Sequence, residues 1–199
     1  MLTRLSYVGG RPYIRGADLY RWFERQIAGR AQAIDSFKLL REVRRDGAWV
    51  GEKPSEPAAS IDYLTAAGER RAAWFDEQGA IITATEPDVE RALLDLDQTG
   101  DFAGAARMRA PADTVALVNA LIEANKALHV RTLDGRKLSP DSIRLVYVEH
   151  LPTLSAPLTG ELLLRFRHLG ERAGRDRRYT LNAVQCPGAT RETRICYSY

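Results

Sequence analysis

The sequence predicts an α+β protein made of two successive units, in each of which an antiparallel sheet wraps around one helix. Three observations predict it. A short apolar segment precedes a single amphipathic helix at residues 17–27, and the same order recurs before a helix at 111–129. Several segments of strand composition, separated by turn residues, follow each helix. The two halves have negligible sequence identity, so what repeats is the order of predicted helices and strands and not the sequence itself.

The first helix is marked by the spacing of its apolar residues. Leu19, Trp22, Phe23 and Ile27 fall at i, i+3, i+4 and i+8, which predicts one buried face. Asp-Gly at 46–47 predicts a hairpin turn, after which residues 48–50 pair back onto the preceding strand. Strands are predicted near 35–45, 59–66, 71–76 and 80–85, and the last three are separated by turn residues at Ala67-Gly68-Glu69 and at Gln78-Gly79.

The boundary between the units is predicted at a connector. Residues 85–88, Thr-Glu-Pro-Asp, start a short helix that ends at Gln-Thr-Gly, residues 98–100. The first unit therefore spans 1–86, the connector 87–100 and the second unit 101–199.

The second helix carries two stripes. Its apolar side consists of Val115, Val118, Leu121, Ile122 and Leu128. A second stripe places Asn119 and Glu123 among alanines, next to the buried contact between the helix and the sheet. The alternative is that Glu123 lies at the edge of that contact and pairs with a lysine. Further strands are predicted near 102–109, 142–149, 160–167, 178–185 and 193–199. Of these, residues 160–167 and 179–185 are predicted to form a long hairpin.

Composition limits the classes of function. With 45% apolar residues the chain can form a core, and no apolar run is long enough to cross a membrane. The first residues do not have the pattern of a signal peptide, so we expect a cytoplasmic protein. Cys186 and Cys196 are expected to be reduced thiols, with pairing between neighbouring strands as the alternative. Metal-binding and nucleotide-binding motifs are absent from the sequence.

The densest basic run lies between residues 165 and 178. Glu171 and Asp176 interrupt it, which disfavours nucleic acid as the partner. Arginines suit the phosphates of coenzyme A or of a carrier-protein arm better. The candidates for this role are Arg165, Arg167, Arg177 and Arg178.

The sequence YRWFER at 20–25 resembles the helix of hotdog-fold thioesterases of the 4-hydroxybenzoyl-CoA thioesterase type. The second half is similar to that family in its order of a central helix, a strand ending in Pro152 and a strand beginning at Gly160. The resemblance implies a double hotdog that mimics the family's dimer. It also implies hydrolysis of acyl thioesters of coenzyme A or of an acyl-carrier protein, with no cofactor besides the coenzyme A or phosphopantetheine of the substrate. A homo-oligomer is left open.

One departure from the family bears on the chemistry. The loop at 7–14 has no carboxylate where such thioesterases commonly carry an Asp. Other hotdog thioesterases place a Glu on the central helix, so the resemblance makes Glu123 the candidate base, with Asn119 orienting water. Hotdog dehydratases use a His with an acid, for which His150 and Glu149 are candidates. A silent module that binds acyl thioesters or carrier proteins is the third alternative.

Overall fold

The computed structural model divides into two compact units, Met1–Arg91 and Ala92–Tyr199. In the described part of the chain they consist mostly of antiparallel sheet with two helices. The structure describes residues 5–8, 12–27, 31–86, 96–98, 103–107, 113–132, 143–152, 161–171, 178–186 and 189–198.

The first unit contains α1 and a four-stranded antiparallel sheet of order β3-β5-β4-β2, with β1 and β6 forming a separate parallel pair. Its elements are β1 (Tyr7–Val8), α1 (Gly16–Ile27), β2 (Ala31–Leu39), β3 (Arg45–Val50), β4 (Ala59–Thr65), β5 (Arg70–Ile81) and β6 (Thr85–Glu86).

Helix α1 packs on one face of this sheet through aromatic rings. Phe23 stands edge-on to the ring of Trp49 at 5.4 Å and to that of Tyr63 at 5.1 Å. Trp49 Nε1 donates a hydrogen bond of 3.3 Å to the carbonyl of Leu19, and Gln26 Nε2 donates one of 2.9 Å to the carbonyl of Trp49. These polar contacts fix where the helix lies on β3.

The buried stripe of α1 differs from the predicted one. Tyr20 is fully buried and contacts Phe37 at 5.8 Å between ring centroids. Trp22, predicted to be buried, is half-buried at the margin of the stripe, where the guanidinium of Arg25 lies 5.8 Å from its ring centroid. The buried stripe is therefore centred closer to Tyr20 than to Trp22.

The predicted hairpin at residues 46–47 is wrong. Gly47 lies inside β3, which pairs with β5 rather than with the preceding strand. The register shifts beside it, and a Cβ at this position would lie 2.2 Å from the carbonyl oxygen of Asp76. Gly47 therefore allows the backbones of β3 and β5 to approach closely, and it does not form a turn.

Strand β5 is a single strand where two were predicted. Gly79 was expected to separate them, but it lies inside β5 and packs against Asp46. A Cβ added to Gly79 would lie only 2.6 Å from the Cβ of Asp46. The turn predicted around Gly68 is confirmed, with φ of 80° and a hydrogen bond of 2.9 Å from its N–H to Thr65.

The second unit contains α2 and a six-stranded antiparallel sheet of order β9-β12-β11-β10-β8-β7. Its elements are β7 (Leu96–Gln98), β8 (Ala103–Arg107), α2 (Thr114–Thr132), β9 (Arg144–Pro152), β10 (Glu161–Glu171), β11 (Arg178–Gln185) and β12 (Thr193–Ser198). The predicted hairpin of β10 and β11 is confirmed. Most of the predicted connector helix lies outside the described residues, and its predicted end at Gln98 lies in β7.

Helix α2 begins later than predicted because Asp113 caps it. The Asp113 carboxylate accepts a hydrogen bond of 2.7 Å from the N–H of Ala116. The backbone carbonyl of Asp113 accepts one of 3.0 Å from the N–H of Leu117. Neither described helix is long and apolar enough to span a bilayer.

Candidate functional site

Asn119 is a buried amide in the apolar face of α2. It is 7% exposed, while its helical neighbours Leu117, Val118, Leu121 and Ile122 are 6% exposed or less. Placing an amide in such surroundings costs free energy unless it has a partner. A polar group held in an apolar interior can orient water or polarise a carbonyl.

Glu123 lies one helical turn after Asn119 in α2. Its side chain lies outside the described part of the structure, so its role as a base stays a prediction. Thr114, in the first turn of the same helix, is buried at 5% exposure.

Buried polar side chains are concentrated in the second unit. Within the described residues the first unit has Ser36, whose hydroxyl donates 2.6 Å to Asp62. In the second unit, β11 and β12 place several on one face of the sheet, where Tyr197 lies opposite Thr180. The buried polar residues of the second unit are Thr114, Asn119, Thr180, Asn182, Thr193 and Ser198.

The other predicted pair, Glu149 and His150, lies near the end of β9. Glu149 is directly opposite Arg194 of β12, an arrangement that favours attraction between the two charges. Among described residues, no hydrogen bond joins Glu149 to His150. Glu149 and His150 are therefore adjacent in β9 without a hydrogen bond between them, and their roles stay a prediction.

Two residues before Glu149, Tyr147 lies opposite Cys196. Burial raises the pKa of Tyr147, and the nearby Cys196 and Glu149 raise it further. Burial also raises the pKa of Cys196, to about 11, against a hydrogen bond from Tyr147 that lowers it. Both groups are therefore neutral near pH 7 and do not supply a nucleophile.

The backbone of His150 adopts a left-handed conformation, with φ of 56°. An L-residue with a Cβ rarely adopts it, because Cβ comes too close to the following carbonyl oxygen. The Thr193 hydroxyl donates a hydrogen bond of 3.0 Å to the carbonyl of His150. Since that hydroxyl has one hydrogen, the Cys186 thiol must be the donor across the 3.5 Å from its Sγ to Thr193.

A cavity of about 300 Å³ lies beside His150. It is lined by His150, Arg191, Glu192 and Arg194, which bring an imidazole, two guanidinium groups and one carboxylate together. Sequence reasoning missed Arg191 and Arg194. The signal that could have indicated them is the charged sequence Arg-Glu-Thr-Arg at residues 191–194, where the last strand begins.

The arginines predicted from the basic run are distributed over β10 and β11. Arg165 and Arg167 lie in β10, and Arg167 falls at a register shift between Phe166 and His168. Arg178 is the first residue of β11, and Arg177 lies outside the described residues. The side chains of these arginines are not described, so their contact with a phosphate stays a prediction.

No protein-family model matches this chain, and no curated protein matches it in sequence. It is similar in structure to a candidate thioesterase from Novosphingobium aromaticivorans, with a TM-score of 0.47 and 9% identity over 95% of this chain and 88% of that one. It is also similar to the tesB protein MAP1729c of Mycobacterium avium subsp. paratuberculosis, with a TM-score of 0.44 and 10% identity over 94% and 86%.

A third similar structure is a conserved protein of unknown function with a hot dog fold from Alicyclobacillus acidocaldarius. Its TM-score is 0.33, with 12% identity over 85% of this chain and 78% of that one.

Proposed function

We propose that this chain is a hotdog-type hydrolase of acyl thioesters, with the acyl group carried by coenzyme A or by an acyl-carrier protein. The observation that carries the proposal is Asn119, an amide buried to 7% exposure in an otherwise apolar helix face. Glu123 follows it by one helical turn, and residues at i and i+4 share one side of a helix. A carboxylate at this spacing can accept a proton from a water molecule that the amide orients.

The proposed reaction uses these two groups in sequence. The Asn119 amide orients a water molecule, and Glu123 accepts a proton from it as its oxygen attacks the thioester carbonyl carbon. The C–S bond then breaks, and the sulfur leaves as a thiolate that takes up a proton. The products are a carboxylic acid and the free thiol, and no cofactor is consumed.

The two units support this assignment unequally. In the first unit, aromatic rings around Phe23 pack between the helix and the sheet. This region therefore serves as hydrophobic core. The second unit keeps Asn119, Thr180 and Asn182 buried within its interior. We therefore place the chemistry in the second unit and assign the first to a structural role.

The test is release of free thiol from a panel of acyl-coenzyme A and acyl-carrier-protein substrates. We expect Glu123→Gln to lower turnover by about two to four orders of magnitude and Asn119→Leu to lower it by a comparable or smaller amount. Glu69→Gln is the matched control, because Glu69 is an exposed carboxylate paired with Arg71 in the first unit. It should leave turnover unchanged.

Three results would contradict the proposal. Equal rates for wild type and Glu123→Gln would remove Glu123 from the mechanism. Binding of acyl thioesters without hydrolysis would identify a silent module. Dehydration of a 3-hydroxyacyl thioester, abolished by His150→Asn, would favour the dehydratase alternative.

A further inference from the structure

The outer side of α1, away from the sheet, carries two arginines that no described carboxylate neutralises. Arg21 and Arg25 are one helical turn apart, the first half-buried and the second exposed. Neither makes an ion pair with another described residue. Their two positive charges are therefore available to a partner.

Both carboxylates of α1 are engaged with other groups. Asp18 accepts hydrogen bonds of 2.7 Å and 3.2 Å from the guanidinium of Arg15, and each side chain of this pair is only 16% exposed. Glu24 accepts one of 3.3 Å from the hydroxyl of Tyr20, which is fully buried. The outer side of the helix therefore keeps the positive charge of its two arginines.

An aromatic ring adjoins these arginines. Trp22 is half-buried, and its ring centroid lies 5.8 Å from the guanidinium carbon of Arg25, a distance at which ring and cation attract each other. Tryptophan and arginine are enriched among the residues that contribute most to the affinity of protein–protein interfaces. We call the surface formed by Arg21, Trp22 and Arg25 the α1 patch.

The composition of the α1 patch selects the class of partner. Contact between two copies through this patch would bring like charges together, which disfavours a second copy. A bilayer requires an exposed apolar helix face, but the apolar side of α1, which includes Leu19 and Phe23, is buried. Nucleic acid requires a longer row of cations and more than one stacking ring. An acidic protein surface fits best, because two carboxylates one helical turn apart match the spacing of the two guanidinium groups.

We propose that the α1 patch docks an acidic helix of a partner protein, with one carboxylate on each arginine and an apolar side chain against Trp22. Resting on the proposed function, this partner is the acyl-carrier protein, which then carries the acyl group in preference to coenzyme A. The first unit thereby recruits the substrate, whereas the proposed chemistry belongs to the second unit.

The experiment is calorimetric titration of the full chain with an acidic acyl-carrier protein in its apo form, which has no phosphopantetheine arm. We expect Arg21→Glu/Arg25→Glu to weaken binding about tenfold or more, because it replaces two attractions by repulsions, and wild-type binding to weaken as salt rises. Trp22→Ala should also weaken it. The matched control is Lys53→Glu/Arg70→Glu, which reverses two exposed cations of the same unit outside α1 and should bind like wild type.

The outcomes separate this inference from the proposed function. Thermal unfolding verifies that the variants fold, and Arg25→Glu alone, a change at an exposed position, should already show part of the loss. No binding by wild type, equal affinity of the double variant, or an equal loss in the control would overturn the inference even if thioesters are hydrolysed. Tighter binding of wild type to anionic lipid vesicles or to a DNA duplex would overturn it in favour of that partner. Because the apo carrier protein holds no thioester, its binding through the α1 patch by a chain without hydrolase activity would support the inference while the proposed function fails.

Discussion

The hydroxyl of Thr193 donates a hydrogen bond of 3.0 Å to the carbonyl oxygen of His150, and this contact holds a left-handed residue in β9. The donor is fully buried, so water cannot replace it. The hydroxyl oxygen of Thr193 also lies 3.5 Å from the sulfur of Cys186. Thr193 is thus the connection between a buried thiol and the wall of the charged cavity.

Replacing Thr193 by valine should destabilise the protein. Valine keeps the shape of threonine but leaves the carbonyl of His150 and the thiol of Cys186 without their partner, which costs about 1–3 kcal/mol. Thr193→Ser keeps the hydroxyl and is the matched control. Urea unfolding of the variants measures the difference, and equal stability of the valine and serine variants would contradict it.

A second prediction concerns His150, whose left-handed backbone conformation is strained because the residue has a Cβ. His150→Gly removes the Cβ and should be more stable than His150→Ala by about 1 kcal/mol. Gln185, an exposed residue of β11 in regular register with Leu163, provides the control, since glycine in an ordinary strand is less stable than alanine. Thermal unfolding of the four variants should show opposite signs at the two positions; the same sign would contradict the strain at His150.

A third prediction concerns Glu77, whose carboxylate joins β5 to the start of β3. It accepts hydrogen bonds of 2.6 Å from the N–H of Arg44 and 2.8 Å from that of Arg45, and it pairs with the side chain of Arg41. Its side chain is 6% exposed. Burial raises the pKa of Glu77, but these hydrogen bonds together outweigh burial and leave it lowered.

A lowered pKa makes the charged form part of the folded state. The stabilisation is therefore present above the pKa of an unfolded glutamate, about 4.3, and is lost as the pH falls through the lower value of the folded state. Glu77→Gln should cost about 1–3 kcal/mol at neutral pH and flatten the acid side of the stability profile. Glu69→Gln, an exposed pair with Arg71, should change little. An unchanged acid profile in Glu77→Gln would refute this role.

Much of the fold could be predicted because its cause is local. The apolar spacing that includes Leu19 and Phe23 predicts α1, and Gly68 predicts the turn between β4 and β5. What sequence reasoning missed depends on contacts distant in the chain. Gly47 signals a turn in isolation, yet it lies inside a strand because Phe75 and Asp76 of β5 lie against it.

The candidate site shows the same division. Burial of Asn119 follows from its position in a helical stripe and could be expected from spacing alone. The conformation of His150 could not, because Thr193, which holds it, is 43 residues away in the chain. Arg191 and Arg194 enter the site only because β12 pairs with β9, a long-range pairing that no local pattern encodes.

The last prediction concerns the thiols, which the structure leaves unpaired at Cys186 and Cys196. Both are buried, at 0% and 7% exposure. Burial raises the pKa of each, and that of Cys196 reaches about 11. Because the thiolate is the reactive form, neither should react with iodoacetamide in the native protein at about pH 8.

Unfolding in urea without a reductant should expose both thiols to alkylation, and mass spectrometry counts the added groups. Native labelling should begin only as the pH rises toward 11, where the Cys196 thiol of the folded protein ionises. Stability should accordingly be highest below the ordinary thiol pKa of about 8.5 and decrease above it. Fast labelling of the folded protein would contradict the burial of these thiols, and no labelling after unfolding would show that they form a disulfide.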